Sequence, residues 1–194
     1  MDHELLGNAS FWSFLFTIDQ ELAATRRDQG CSCGGRLHCA NYPRKPRGGC
    51  DNLPESYGYR LSFCCERDGC RKRTTPPSVR FLGRKVYLAA VVVLVAAMRQ
   101  GPSPRRVREL TELFGADRRT IARWCTFWRE HVPQTPFWKV ARGRFSPQLS
   151  IAELPRAMWE AFLHREDSRE DWERFLRFLS PITTTEGLGI TGIS

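Results

Sequence analysis

Two cysteine-rich stretches decide the fold of this chain: CSCGG at residues 31–35 and CCERDGC at residues 64–70. Each places thiols close together beside a glycine, and such a turn can point backbone N–H groups toward sulfur. Two such turns on neighbouring hairpins supply four thiolate ligands to one tetrahedral ion. The sequence therefore predicts a Zn²⁺ site formed by Cys31, Cys33, Cys65 and Cys70.

The spacing of the cysteines leaves alternatives open. One residue separates the first pair, where two are usual, and four residues separate the second pair, at the wide end of the range. Cys64 could replace Cys65, and His38 or Cys39 could replace a member of the first pair. The alternative to a metal site is a set of ordinary thiols, because unpaired cysteine is commonly buried.

Positive charge is concentrated in the middle of the chain. The 194 residues have a formal net charge of +9, but residues 31–150 carry +15 and the segments 1–30 and 151–194 carry −3 each. A basic segment that coincides with the motifs indicates a polyanion as partner, since Lys and Arg attract phosphate groups. A solvated basic surface that maintains solubility is the alternative. We expect double-stranded DNA as the partner.

The eight cysteines do not indicate a disulfide scaffold. The N-terminus is acidic and lacks the features of a secretory signal, and clustered cysteines in that context are typical of metal binding in a reducing compartment. The most apolar run, Val86–Met98, is shorter than the about 20 residues that span a bilayer. We expect a cytoplasmic, nucleoid-associated protein without a membrane partner.

Hydrophobic spacing predicts a mainly α fold with a small zinc-ribbon β unit, a three-helix helix-turn-helix core and further C-terminal helices. Ser10 is expected to cap a first helix over 11–27. Residues 57–63 alternate between apolar and polar, which predicts a strand leading into the second cysteine stretch. Further helices are predicted over 84–99, 104–114, 118–131, 154–165 and 169–179.

These elements divide the chain into five segments. They are an N-terminal amphipathic helix (1–30), a zinc-ribbon-like domain (31–82), a helix-turn-helix domain (83–132), a segment rich in proline and aromatic residues with C-terminal helices (133–180), and a disordered tail (181–194). The proline-rich part of the fourth segment, 133–150, is expected to be irregular.

A glycine and an aspartate identify the turn of the helix-turn-helix. Gly115 is expected in the turn, Asp117 caps the second helix, and apolar residues from Ile121 to Trp128 recur at helical spacing. A recognition helix reads base edges with its N-terminal residues, and Arg can contact guanine through two hydrogen bonds. A plain helical hairpin with a basic face is the alternative. The predicted reading positions are Arg118, Arg119, Thr120 and Arg123.

Basic residues outside this helix are predicted to hold the DNA backbone. Arg44 and Lys45 lie in a loop or arm punctuated by Pro and Gly, and a second group leaves the second cysteine stretch. Phosphate contacts of this kind position a protein on the duplex but carry no sequence information. The second group consists of Arg71, Lys72 and Arg73.

The cysteine stretches and the helix pair together resemble the zinc-ribbon plus helix-turn-helix region of bacterial insertion-sequence transposases, and related small stand-alone proteins. The resemblance covers roughly residues 31–131. It implies that the helix-turn-helix binds element-end DNA, with Arg118, Arg119, Thr120 and Arg123 as the reading positions. It also implies a catalytic transposase as a possible partner.

The chain departs from such transposases after residue 131. Their catalytic domain holds two metal ions with three acidic residues, whereas the acids of residues 132–194 fall on amphipathic helices and predict a solvated face. We therefore predict no catalytic domain. Two alternatives to a DNA-binding regulator stay open: a truncated, non-catalytic transposase subunit, and an RNA- or protein-interaction module.

Overall fold

Helices make up most of the structure, and a small antiparallel β unit carries the cysteines. The computed structural model describes residues 8–47, 53–82, 88–96, 108, 112, 115–163, 168–184 and 187. The predicted helix over 104–114 lies outside these residues, except for helical positions 108 and 112. Within the described ranges, no helix combines the length and apolarity needed to cross a membrane. A mainly α fold with a small β unit is thus confirmed.

Helix α1 (Ala9–Asp28) begins two residues before the predicted start at residue 11. The side-chain Oδ1 of Asn8 accepts the N–H of Ser10 at 2.9 Å. Ser10 is therefore inside the helix, and the expectation that it forms the cap is wrong, because asparagine serves as well at this position. Phe11, Trp12 and Leu15 are buried and bring one face of α1 into the core.

Within the part of the chain that the structure describes, five short strands form two antiparallel sheets: β1 (Leu37–Cys39), β2 (Tyr42–Pro43), β3 (Tyr59–Arg60), β4 (Phe63–Cys65) and β5 (Arg73–Thr74). β4 lies between β1 and β5, with Leu37 opposite Cys65, and β2 pairs with β3. The predicted continuous strand over 57–63 is wrong. Residues Glu55–Gly58 form a 3₁₀ turn, and residues 61–62 separate β3 from β4.

The described residues contain five further helices: α2 (Ala89–Ala96), α3 (Arg118–Thr126), α4 (Pro136–Ala141), α5 (Arg156–Glu160) and α6 (Ser168–Leu179). α3 continues into a π-helical turn, Phe127–His131, so the predicted helix over 118–131 is present with a wider last turn. The prediction over 169–179 is confirmed by α6. Of the prediction over 154–165, the described part is helical only in α5.

Two predictions of irregular structure are wrong. The segment 133–150 contains α4, because Thr135 caps it through a 3.1 Å hydrogen bond from the Trp138 N–H, with proline at the first helical position. The predicted disordered tail is wrong only at its start, where Ser180–Thr183 form an ordered 3₁₀ turn. There the Thr183 hydroxyl is buried and accepts the N–H of Ser78 at 2.9 Å. Residues 185, 186 and 188–194 of the tail lie outside the described residues.

The large apolar core joins residues from both ends of the chain. It includes Trp12 of α1, Val92 of α2, Trp124 of α3 and Trp172 of α6, each at most 3% exposed. A second, smaller cluster includes residues of α1, of the first cysteine stretch and of the cysteine-bearing sheet. Its members are Ala23, Cys31, Leu37, Phe63 and Cys65. Such a small cluster provides little hydrophobic stabilisation of its own.

A buried ion network joins α1 to the chain that follows the sheets. The carboxylate of Asp19 accepts hydrogen bonds from the Ser78 hydroxyl at 2.6 Å, the Val79 N–H at 2.7 Å and Arg80 Nε at 2.7 Å. Arg60 Nη1 lies 3.8 Å from the same carboxylate. Because Asp19, Arg60 and Arg80 are at most 1% exposed, their charges depend on one another and not on water.

Aromatic rings enclose the guanidinium group of Arg80. It lies 4.6 Å from the ring centroid of Phe16, 4.9 Å from that of Tyr57 and 5.0 Å from that of Phe81. A cation over the face of an aromatic ring is attracted by the ring quadrupole. Arg80 Nη1 also donates to the backbone carbonyl of Ser56 at 2.7 Å, so one side chain connects α1, the Glu55–Gly58 turn and its own segment.

Candidate metal centre and basic helix

The four cysteines predicted as metal ligands lie together. Their sulfur atoms are all within 4.8 Å of one another, with Cys31 and Cys70 Sγ at 3.7 Å and Cys33 and Cys65 Sγ at 3.5 Å. We call this set the cysteine cluster. A tetrahedral ion with metal–sulfur bonds of 2.3 Å places its ligands about 3.8 Å apart. The cysteine cluster could therefore hold one metal ion.

Glycines shape the first half of the cysteine cluster. The N–H of Cys31 donates to the Gly35 carbonyl at 3.0 Å, and the N–H of Gly34 returns to the Cys31 carbonyl at 2.8 Å. Gly34 has a φ of +79°, in the left-handed region that favours glycine. A Cβ atom on Gly35 would lie 2.7 Å from the Cys65 sulfur. Close approach of the two halves thus requires glycine at position 35.

The second half combines the end of β4 with a tight turn. The N–H groups of Cys70 and Arg71 both donate to the Arg67 carbonyl at 2.9 Å. Arg71, and not Gly69, adopts the left-handed conformation, with a φ of +43°. Arg67 Nη1 reaches across to the Cys33 carbonyl at 2.5 Å, so the two halves are also joined outside their sulfur atoms.

Backbone N–H groups point at three of the sulfur atoms. Each donor lies two residues after the cysteine that it reaches, which is the geometry of a turn wrapped around sulfur. Such hydrogen bonds favour the thiolate, the form that binds metals. The donors are the N–H groups of Cys33, Arg67 and Lys72, directed at the sulfurs of Cys31, Cys65 and Cys70.

The thiols of the cysteine cluster have different pKa values. The N–H of Cys33, together with neighbouring thiols, lowers the pKa of Cys31 to about 6. For Cys65, the N–H of Arg67 acts in the same direction, but burial and hydrogen bonds from the other thiols outweigh it and raise the pKa to about 12. A first negative charge is therefore accommodated mainly at Cys31, and a cation is the natural counterpart for further thiolates.

The alternative ligands lie outside the cysteine cluster. Cys64 faces away from it and donates from Sγ to the Arg71 carbonyl at 3.4 Å. Cys39 is exposed, and His38 Nε2 lies 3.3 Å from Glu66 Oε2. The strand alternation explains this division, since neighbouring residues of β4 point to opposite faces of the sheet.

The basic residues around the two sheets differ in exposure. Lys45, Arg71, Lys72 and Arg73 are exposed. Arg44 is half-buried, and its guanidinium lies 5.6 Å from the ring centroid of Tyr42 and 5.8 Å from that of Phe81. Arg44, expected in a loop or extended arm, directly follows β2, and its N–H donates to the Gly58 carbonyl at 2.8 Å. Its role as a phosphate contact stays a prediction.

Helix α3 begins as the sequence predicts. Gly115 has a φ of +62°, and Asp117 Oδ1 accepts the N–H of Thr120 at 2.7 Å, which is the predicted cap. That N–H also lowers the pKa of the Asp117 carboxyl. Ile121, Trp124 and Trp128 are buried. The cap and the apolar stripe fix which residues of α3 face the solvent.

Three of the four predicted reading positions are exposed. Arg118, Arg119 and Arg123 lie on the outer face of α3. Thr120 is only 6% exposed, and its hydroxyl accepts a hydrogen bond from Arg123 Nη2 at 2.9 Å. Including Thr120 among the residues that face a ligand is therefore wrong: it shares the buried side of the helix with Ile121.

The sequence analysis missed Arg67, which joins the two halves of the cysteine cluster through a hydrogen bond to the Cys33 carbonyl. Gly35 belongs to the predicted glycine turn, and the structure adds its close approach to the Cys65 sulfur. No family model, curated protein or solved structure matches the chain.

Proposed function

We propose that this chain is a zinc-dependent DNA-binding protein, in which a zinc ribbon and a helix-turn-helix contact the same duplex. The observation that carries the proposal is the convergence of four sulfur atoms within 4.8 Å, inside a segment with a net charge of +15. The first feature supports a structural metal, and the second supports a polyanion as partner.

Zinc fits the donors of the cysteine cluster. Four thiolates in a tetrahedron are typical of structural zinc or of iron. The sulfur–sulfur separations of 3.5 and 3.7 Å are close to the expected value of about 3.8 Å. Four protein ligands leave no open position for a substrate, so the ion's role is structural. It would fasten the loop after α1 to β4, where the apolar cluster is small.

Metal analysis tests the first half of the proposal. Protein purified without chelators should contain about one zinc per chain, and Cys70→Ser should lose it. The matched control is Cys39→Ser, because Cys39 is an exposed thiol of β1 outside the cysteine cluster. Well under half an equivalent of zinc, or iron in its place, would contradict the assignment.

The exposed arginines of α3 support the second half. Arg118, Arg119 and Arg123 project from the first turns of a capped helix, which is the part of a recognition helix that reads base edges. α2 packs against the inner side of α3. The helix predicted over 104–114 would complete the motif.

The basic residues of the sheets are proposed to contact phosphates. Lys45, Arg71, Lys72 and Arg73 are exposed, and none of them is needed in the apolar core. Arg71 has a left-handed backbone conformation, which glycine adopts without strain. An arginine at this position makes the folded state less stable than a glycine would. This pattern supports a use for the arginine beyond shaping the turn.

Selection from random duplexes tests the DNA proposal. Wild-type protein should enrich a defined sequence, and Arg119→Ala should relax the preference at one base position, at a cost of roughly 1–3 kcal/mol. The control is Arg27→Ala, because Arg27 is an exposed arginine on α1, outside the basic segment. An unselective wild type, or an unchanged preference in Arg119→Ala, would contradict base reading by α3.

The place of this protein in a mobile element is also a proposal, and only the sequence resemblance supports it. A regulator would bind element ends alone, whereas a non-catalytic transposase subunit would need a catalytic partner chain. Binding of purified protein to a selected duplex without any partner would favour the first role.

A further inference from the structure

An open groove of about 980 Å³ lies between the segment after α4 and helices α5 and α6. Its volume is at the upper end of the range found for small-molecule sites, about 300–1,000 Å³. Phe145, Phe162 and Phe178 line it together with Leu149 and Ala157. The DNA proposal above uses none of these residues.

The three phenylalanines form one aromatic surface. The ring centroids of Phe145 and Phe178 are 5.7 Å apart, and those of Phe162 and Phe178 are 5.0 Å apart. All three side chains are half-buried, so part of each ring lines the groove. Behind them, Trp138 stacks on Phe145 with an interplanar angle of 27°. A planar ligand could therefore lie against rings that are already held in place.

The charges at the rim differ between the two sides of the groove. On the α6 side, Arg174 pairs with Asp171, and Arg177 pairs with Glu173 and Glu21, which leaves that side close to neutral. The opposite side is basic: residues 136–150 contain three cations and no acidic residue. These cations, Lys139, Arg142 and Arg144, are all exposed, and Arg144 lines the groove.

We propose that this groove binds an unpaired base of a DNA strand, whose phosphates contact Lys139, Arg142 and Arg144. The proposal rests on the proposed DNA binding and adds a single-stranded site to it. Aromatic surfaces beside basic residues hold single strands in this way, because every base has a face that stacks on an aromatic ring. Charge complementarity selects this occupant: residues 136–150 contribute three exposed cations and no acid. Glu153, an acid that lines the groove, is paired with Arg156.

The test compares a blunt duplex with the same duplex bearing a single-stranded thymidine extension. Fluorescence anisotropy should show that wild-type protein binds the extended duplex about 5- to 150-fold more tightly, the range expected for stacking of one base. Phe162→Leu should abolish this advantage and leave blunt-duplex affinity unchanged. Phe137→Leu is the matched control, because Phe137 also packs on Phe178 but does not line the groove.

A second variant tests the groove independently, in case Phe162→Leu unfolds the protein. Arg144→Gln changes an exposed side chain and should reduce binding of the extended duplex only. Equal affinity of wild type for both duplexes would overturn the single-strand site. Loss of the advantage in Phe137→Leu as in Phe162→Leu would overturn it as well.

Failure of the underlying DNA proposal gives a different result. In that case wild type does not bind the blunt duplex, or Arg119→Ala binds it as wild type does. A free thymidine decamer then decides the groove by itself. Binding that Phe162→Leu removes would support the single-strand site, and no binding would overturn it.

Discussion

Removal of the Asp19 carboxylate should be among the most destabilising changes in the chain. Asp19→Ala deletes the acceptor of three hydrogen bonds, from Ser78, Val79 and Arg80. It also leaves the charges of Arg60 and Arg80 in a region that water does not reach. Both consequences act on the folded state, whereas all of these groups are hydrated in the unfolded chain.

The structure sets the size of the effect. Breaking a buried ion pair by deleting one partner costs about 3–5 kcal/mol, because the remaining charge is buried without compensation. Hydrogen bonds to a charged acceptor contribute about 1.5–3 kcal/mol each. Because Asp19→Ala loses three of them, we expect a loss in the upper half of the range of about 3–5 kcal/mol. The aromatic rings around Arg80 limit the loss, since they stabilise its charge independently. We expect a loss of about 4 kcal/mol.

Urea denaturation followed by tryptophan fluorescence measures this loss, since Trp12 of α1 lies in the core. The matched control is Asp28→Ala: Asp28 is on the same helix but is 76% exposed, and its ion pair with Arg27 should contribute less than about 1 kcal/mol. A loss in Asp19→Ala no larger than that in Asp28→Ala would refute the view that the buried arginines depend on this carboxylate.

Three further predictions concern the site and α3. Gly35→Ala should weaken metal binding at least about tenfold in a chelator competition, because its Cβ would collide with the Cys65 sulfur, whereas Gly34→Ala should only strain the turn by roughly 1–2 kcal/mol. The Thr120 N–H lowers the pKa of the Asp117 carboxyl in the folded protein. The cap that Asp117 forms on α3 therefore stabilises the fold fully above the unfolded pKa of about 3.9. This stabilisation is lost as the pH falls through the lower pKa of the folded state. The urea midpoints of wild type and Asp117→Ala should therefore differ at neutral pH and converge in acid. Trp124→Ala should cost about 3–5 kcal/mol in urea denaturation, and an unchanged midpoint would contradict its place in the core.

The cysteine cluster could be predicted because its information is local. Two short stretches each hold thiols beside glycines in one tight turn. The sequence left Cys64 open as an alternative to Cys65, and only the structure places Cys64 outside the cysteine cluster. The start of α3 was equally accessible, since a left-handed Gly115 and a capping Asp117 act within a few residues. Binding of DNA depends on the whole exposed surface around these motifs, so it remains a prediction.

The failures concern contacts between distant segments. Asp19 follows Trp12 and Leu15 at helical spacing, which is a signal for burial, but its partner Arg80 is 61 residues away. Thr183 is ordered through Ser78, 105 residues earlier, and no local pattern in the tail reveals that contact. Thr120 was assigned to the exposed face because it is polar, although the phase of the helix places it beside Ile121.

The salt dependence of duplex binding tests the central claim most directly. Affinity measured by anisotropy should fall along a straight line on logarithmic axes, with a slope of about 0.9 per phosphate contact. Lys45→Ala should lower the slope by about one, because it removes one exposed cation from the sheets. Arg27→Ala, on the acidic N-terminal segment, should leave it unchanged. An affinity that does not respond to salt, or equal slopes in all three proteins, would contradict the account.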